Sequence, residues 1–518
     1  MEVMLQETEN STNVKQNFHI YGVATFLYAC LYVFCMYKNK SGITYLLFVA
    51  GGLFYIHFCL KHLGMEAKKG RFYQVCMILL AVSTFCTDDG RIIFFNKAGV
   101  FLLALSFLLD VFYNTGKWNI GKYLHSMGKT CAGTLQEVGS PATDAVWYCK
   151  NKLGKQNSKY LYLLIGVLIT IPVFVIVFAL LTSADVVFKH MADKAVGRLD
   201  FGDLMPILIQ MAVAFLACYG ILTTLCKKKV VEEVQDKRTG EPLIAIPVAG
   251  VLTLLYLVFS GVQILYLFIG NMELPDGYTY AEYAREGFFQ LLAVSILNLI
   301  MVLVGLCYFK KNKVLKTILT IMSGCTFVMI ASSAMRMIIY IQYYYLTFLR
   351  ILVLWGLLLL TIIFAGVVVY IFKENFPLFR YSMVVVTCMY LLLSFGHPDY
   401  WIAKVNIAGS EEKRSDFFQG KSYRDYDFLC GLSADAAPVM LDWAEEIGCH
   451  LGYYKACDNV PYYEEYLEYI GEREPILLTT TRDWQHGYQY LSHLRYRVGD
   501  ITLRNFNVSR AWAQWRVR

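Results

Sequence analysis

Apolar residues along this chain gather into long runs separated by short polar and basic segments. A helix needs about 20 consecutive apolar residues to cross a bilayer. Eleven runs reach or approach that length, at 19–37, 43–60, 72–86, 97–114, 160–183, 204–226, 242–270, 287–309, 317–341, 349–372 and 378–396. The pattern predicts an all-α fold, a polytopic transmembrane helix bundle of about 11 spans. The third run is short, and the last is bounded by Arg380 and His397. Arg91–Phe95 (RIIFF) reads either as a re-entrant segment or as a simple loop.

Two flanking regions and one connection break the apolar rhythm. Residues 1–18 are polar, with Glu2, Glu7 and Glu9 and no basic n-region or cleavage site, so they are expected as an N-terminal tail and not a removable signal. The transmembrane domain then runs over 19–396. Within it, 115–159 is a basic amphipathic loop with Trp118, Tyr123, Trp147 and Tyr148 among its lysines. It reads equally as an interfacial segment on anionic lipid or as an ordinary cytoplasmic loop. From 397 to 518 charge and tyrosine become dense, and a small, mainly helical C-terminal domain is expected. Ser433 is placed to cap a helix through DAAPVMLDWAEEI, with Pro438 in its first turn. Tyr462–Ile470 and Trp484–Arg495 carry apolar residues three and four apart. Cys449 and Cys457 would pair only in an oxidising exterior.

Composition agrees and excludes other classes. Residues AVILMFWYC make up 57% of the 518, charged residues only 17%, and mean hydropathy is +0.46. Soluble domains carry about 25% charge. Disorder, a collagen-like fibre and nucleic-acid binding are excluded together. The fifteen cysteines are scattered without a CxxC pair and read as small buried hydrophobes. The net charge of +7 is informative only by position. With eleven spans, one set of segments carries 23 Lys and Arg, among them Lys61, Lys117, Lys227 and Lys310, and the alternate set carries 8. The positive-inside rule places the N-terminus in the cytoplasm, and parity then places 397–518 outside.

Polar residues at membrane depth mark candidate sites, because burying them in lipid is costly. The densest block is Asn271–Leu292, where Leu274-Pro275-Asp276-Gly277 has turn chemistry. Thr279 and Glu282 have capping-box spacing, predicting a helix that continues into the eighth span. Arg285, Glu286 and Gln290 remain beyond the cap; Glu286 and Gln290 share a face, and Gly287 would let a neighbouring helix approach. Gln263 and Tyr266 lie near the outer end of the seventh span, Arg336 and Tyr340 in the ninth, and Arg350 opens the tenth. Arg336 follows Lys316 by 20 residues, about 30 Å of helix. It should reach the outer interface, as part of an ion pair, as a snorkelling side chain or as a ligand contact. Asp88, Asp89, Arg91, Asp185 and Lys189 are expected at the same level. The candidate polar cluster is therefore Gln263, Tyr266, Glu282, Arg285, Glu286, Gln290, Arg336, Tyr340 and Arg350. No catalytic residue, metal set or cofactor is expected: HExxH, GxSxG, Walker and dinucleotide signatures are missing, and His486 and His493 make no recognisable metal set. His57 reads as a hydrogen-bonded packing residue and Asp110 as a solvated helix end.

Several motifs together resemble a family. They are Val262-Gln263-Ile-Leu-Tyr266-Leu-Phe268, the block from Leu274 to Gln290, Ser333-Ala-Met-Arg336-Met-Ile-Ile-Tyr340 and Leu346-Thr-Phe-Leu-Arg350. His397-Pro-Asp, Asn406, Tyr426-Asp-Phe-Leu, Leu432-Ser-Ala-Asp435 and Asn507-Val-Ser-Arg510 extend them. The chain resembles bacterial polytopic membrane proteins of domain-of-unknown-function family 4173, which overlaps family 4153. It departs at His397, where a small polar residue is usual, and at Ile269-Gly270, where a second glycine is usual. The resemblance implies a membrane architecture and no defined activity. Two readings follow. One is a non-enzymatic envelope sensor or scaffold with an outward polar cluster, partnered by the lipid bilayer and with room for a protein partner at the C-terminal domain. The other is a transporter or lipid-handling protein using the same cluster. A membrane enzyme ranks behind both.

Overall fold

The computed structural model describes the chain except for residues 1, 66–69, 119, most of 153–200, 228–237, 266–286, 374, 413–427, 447–481 and 518. The described residues are helical, with no strand beyond an isolated bridge between Gly240 and Phe309. The helices are α1 (Glu2–Gln16), α2 (Phe18–Met36), α3 (Ile43–His62), α4 (Arg71–Cys86), α5 (Gly90–Phe112), α6 (Ile120–Gln136), α7 (Ser140–Lys152), α8 (Phe201–Cys226) and α9 (Pro242–Gln263). They continue with α10 (Phe288–Cys307), α11 (Lys313–Tyr344), α12 (Phe348–Phe372), α13 (Leu378–Phe395), α14 (Pro398–Glu412), α15 (Ala437–Glu446), α16 (Arg482–Val498) and α17 (Val508–Val517). Among the described residues nine helices are long and apolar enough to cross a membrane: α2, α3, α5, α8 from Pro206, and α9 to α13. α4 is a shorter apolar helix, and most of the expected span at 160–183 lies outside the described residues.

The outward faces of these helices suit lipid. α9 exposes Leu243, Ile244, Val248, Val251, Leu254, Leu255 and Val258, and buries Thr253, Tyr256, Ser260 and Gln263. That is the reverse of a helix on a water-soluble protein, whose polar face looks out. In hydrocarbon the small polar residues turn inward, where helices can approach and hydrogen bonds are satisfied. The same logic buries Ser295 and Asn298 of α10 against α11, where Asn298 Nδ2 donates to Thr326 Oγ1 at 3.0 Å.

The chain forms two compact units. The first comprises Met1–Phe85, Phe94–Val234 and Thr502–Asn507. In it α8 packs against α2, α6 and α7, and α2 against α3. The expected N-terminal tail is largely the helix α1, which lies beside α7. The described part of the basic loop, to Lys152, folds into a short 3-10 turn and two helices, α6 and α7. Its Trp118 and Tyr123 are buried, with Tyr123 Oη donating to the Ser106 carbonyl. Glu137 of this region pairs with Lys227 at 2.6 Å, and the buried Asp144 accepts from Tyr219 Oη. Segment Thr502–Asn507 lies on the α2–α3 turn: Ile43 N–H donates to the Phe506 carbonyl, and Arg504 Nε donates to the Phe34 carbonyl.

The second unit comprises Cys86–Ile93, Gln235–Ile501 and Val508–Arg518. α11 is its axis, packed by α9, α10 and α12, and α13 packs on α12. Gly366 makes the last contact close: a Cβ there would stand 2.2 Å from the Tyr381 ring, whose hydroxyl donates to the Ile362 carbonyl at 2.8 Å. The C-terminal helices share one core of Ile402, Leu432, Met440, Leu441, Tyr490, Leu494 and Ala513, and Leu346, Phe348 and Ile351 at the start of α12 pack against it. Asn406 clamps the turn before α12, its amide accepting from Leu346 N–H and donating to the Leu346 carbonyl.

Three local expectations change. Arg91–Phe95 is neither loop nor re-entrant segment; it opens α5, because Asp89 caps the helix by accepting from Arg91 N–H at 2.9 Å. Ser433 precedes a 3-10 turn (Ala434–Ala436) and makes no cap bond through its side chain. The helix expected from Thr279 does not run unbroken into the eighth span: α10 starts after Gly287, whose φ of 82° is left-handed, and Thr279 and Glu282 themselves lie outside the described residues.

Candidate functional site

Two groups of polar side chains lie in the second unit. The first belongs to the membrane-depth residues. Gln263 ends α9 buried, and its Oε1 accepts from Ser332 Oγ of α11 at 2.6 Å. One turn further along α11, Arg336 is also buried. A Cβ on Gly287 would stand 3.0 Å from its Nη1, so the left-handed glycine leaves the room that the guanidinium occupies. That burial removes the snorkelling reading of Arg336. Arg350 stacks over the Tyr340 ring at 4.5 Å and donates to the carbonyls of Tyr344 and Tyr345, closing the C-terminal end of α11. Gln290 lies on the exposed face of α10. Tyr266, Glu282, Arg285 and Glu286 lie outside the described residues, as do Lys189 and the Cys449–Cys457 pair.

The second group is an acid–base network at the ends of spans. Its centre is Asp435, in the 3-10 turn ahead of α15 and 4% exposed. Its carboxylate accepts from Thr87 Oγ1, from Asp88 N–H at 2.8 Å and from His397 Nδ1 at 3.1 Å. Asp399, in the first turn of α14, accepts from Ser433 N–H at 2.9 Å and from Arg91. Arg91 also forks onto Asp89, with Nε and Nη2 at 2.9 and 2.8 Å, while its guanidinium lies 4.0 Å from the Phe348 ring centre. Arg510 of α17, 1% exposed, stands 3.1 Å from Asp88. Arg497 donates to the Gly431 and Leu432 carbonyls, and Ser509 Oγ donates to the Cys86 carbonyl.

Burying this much charge is costly unless each charge is paired and hydrogen-bonded. Burial pushes the Asp88 carboxyl up to about 6, with Arg510 opposing and the neighbouring Asp435 adding to the rise. Burial pushes Asp435 the same way, but hydrogen bonds from His397, Thr87, Asp88 N–H and Ser509 outweigh it and hold this acid below its usual range. His397 is raised by its hydrogen bond to Asp435, against the effect of burial. Its φ of 45° is unusual for a residue other than glycine.

The membrane-depth reading anticipated Asp88, Asp89 and Arg91 but not Asp399, Asp435, His397 or Arg510 as their partners. The signal was present in the short motifs His397-Pro-Asp, Leu432-Ser-Ala-Asp435 and Asn507-Val-Ser-Arg510, each of which contributes one or two members of the network. Asp185 lies exposed, its Oδ1 accepting from Phe188 N–H. His57 has the expected hydrogen bond, with Nδ1 against the Leu53 carbonyl, and its ring stacks on Phe107, but the residue is exposed and not a packed interior one.

A family model described as a domain of unknown function (DUF4153) matches residues 75–443. That range holds Asp88, Arg91, Asp399 and Asp435 together with Gln263, Arg336 and Arg350, while Arg497 and Arg510 lie beyond it. No curated protein and no solved structure matches the chain. With its apolar helices and a family match across most of its length, the chain is a multi-pass integral membrane protein that belongs to the DUF4153 family.

Proposed function

We propose that the protein is a non-enzymatic sensor or scaffold of the cell envelope, with its N-terminus in the cytoplasm and its C-terminal helices outside. The observation that carries this reading is the buried network tying α14, the Asp435 turn and α17 to Thr87–Arg91. Its charges are engaged in holding C-terminal helices against the end of a span, and one member is a histidine whose pKa is raised by its hydrogen bond to Asp435. Such a linkage suits a protein that transmits a state of the exterior, or holds a partner there, better than one that turns over a substrate. The uneven distribution of Lys and Arg supports the orientation. The test is a chromosomal Arg510→Gln or Asp435→Asn variant, scored for sensitivity of the cells to detergent and lysozyme beside wild type and a deletion strain. The variants should approach the deletion phenotype while the protein accumulates in the membrane. A truncation lacking 397–518 that folds, inserts and leaves every envelope phenotype at wild type would reject the reading.

A second reading, a transporter or lipid-handling protein, is favoured by the left-handed Gly287 at the start of α10, which leaves room for the buried Arg336. Helix starts next to a buried cation recur where anionic solutes are bound at membrane depth. Proteoliposomes carrying wild type, Arg336→Ala or Glu286→Ala, assayed with carboxylate- and phosphate-bearing solutes and for lipid movement between leaflets, test it. Equal rates with and without the wild-type protein would remove it.

A further inference from the structure

The C-terminal helix α17 has two faces of different character. Arg510 and Ala513 point inward, into the ionic network and the shared core. Val508, Trp512 and Trp515 recur four and three residues apart, so they share the opposite face, and all three are exposed, Trp515 by 73%. Two large indoles left in water on a ten-residue helix are costly, because each buries on the order of 200 Å² of apolar surface when covered.

The height of this face is set by the bonds of the first turn. Ser509 Oγ donates to the carbonyl of Cys86, the last residue of α4, at 2.7 Å. Arg510 is paired with Asp88, two residues before α5 begins as a membrane-spanning helix at Gly90. The N-terminal turn of α17 is thus held at the level where a span leaves the bilayer. Indole rings are enriched at that level, since their apolar body and single N–H donor match the boundary between acyl chains and headgroups. The unit repeats this chemistry on α14, which starts three residues after the span α13 ends. Trp401 and Val405 are exposed there one turn apart, continuing the exposed Leu392 and Phe395 of α13, and Lys404 lies over the Trp401 ring at 5.5 Å.

We propose that the Val508–Trp512–Trp515 face of α17 is seated in the headgroup–acyl boundary of the bilayer, so that the C-terminal helix is an interfacial anchor and lipid is what covers it. The network then gains a second role: Arg510 and the two tryptophans lie on opposite faces of one short helix, and loosening one loosens the other. The inference concerns depth alone and holds on whichever side of the membrane the helix lies.

The experiment uses full-length protein in phosphatidylcholine–phosphatidylglycerol vesicles, prepared either with ordinary lipid or with lipid brominated on the acyl carbons nearest the headgroup. The chain has 8 tryptophans, so the signal is the difference in emission between wild type and the Trp512→Phe, Trp515→Phe double variant. The difference spectrum should be blue-shifted, fall at least twofold in brominated vesicles, and respond weakly to acrylamide in the water. A difference spectrum quenched by acrylamide and indifferent to bromine overturns the proposal, because the face is then in solvent. Protection from both quenchers overturns it as well, in favour of a second copy or another protein on the face. Trp515→Phe alone, at the more exposed of the two indoles, repeats the measurement should the double variant fold poorly.

Discussion

His397 and Asp435 form a pair whose two shifts act in opposite pH ranges. The hydrogen bond to Asp435 raises His397 above its ordinary 6.5, so the stability it contributes is complete below that value and is lost as pH rises through the raised one. Asp435 is held below its ordinary 3.8, so its contribution is present above that value and is lost as pH falls through the lowered one. Asp88 adds a further slope. Its pKa is raised from 3.8 to about 6, chiefly by burial, so the folded protein keeps this proton longer than the unfolded chain, and stability falls as pH rises between those values. That shift corresponds to on the order of 3 kcal/mol. In detergent, the thermal midpoint should therefore be highest in mildly acidic buffer, decline toward alkaline pH and drop again in strong acid. His397→Gln should flatten the alkaline decline, and Asp88→Asn should remove the slope between about pH 4 and 6. A His397→Gln profile superimposable on wild type would show that this histidine does not titrate within the network. Asp435→Asn keeps the shape but removes the anion that faces His397, and breaking such a buried pair typically costs about 3–5 kcal/mol. Calorimetry at neutral pH would measure it.

Among the helices, Gly287 shows how one position sets both an element boundary and a polar site. At φ 82° it separates α10 from what precedes it, and the absent side chain leaves the space beside Arg336 Nη1. Gly287→Ala adds a left-handed strain of about 1–3 kcal/mol and a Cβ in close contact with the guanidinium. It should lower the thermal midpoint by several degrees, and Gly287→Asn by less, since asparagine tolerates this conformation better. Identical midpoints for the alanine variant and wild type would contradict the left-handed assignment. The difference between what could and could not be read in advance is visible here. The spans were legible because apolar length is a property of contiguous residues, and α10 to α13 fall within four residues of their expected limits. The sequence marks Gly287 as a point of close approach, but the capping-box spacing of Thr279 and Glu282 favours a continuous helix across it. The network was out of reach for a different reason. Arg91 and Asp399 are 308 positions apart and Thr87 and Asp435 are 348, and no local periodicity reports a pairing of that range.

At the scale of the whole chain, the 23 basic residues on one predicted set of segments and 8 on the other make a statement about sidedness. α4 is shorter than a full span, and most of 160–183 lies outside the described residues, so each decides the parity of everything that follows. The C-terminal helices carry the most sensitive marker, because one span more or fewer moves them to the other side. Tyr496 is suited to report it, being 90% exposed on α16 and away from the core residues Leu491 and Leu494. In a Cys449→Ser, Cys457→Ser background, a Tyr496→Cys variant should react with a membrane-impermeant maleimide in intact spheroplasts. Lys316→Cys, in a segment expected to be cytoplasmic, should react only after permeabilisation. The reverse pair of results would place the acid–base network in the cytoplasm. Its histidine would then face a buffered compartment and could not follow the pH of the exterior, so an envelope sensor driven by external protons would be ruled out by topology alone. The interfacial seat of α17 would survive, since both faces of a bilayer offer the same boundary to an indole ring.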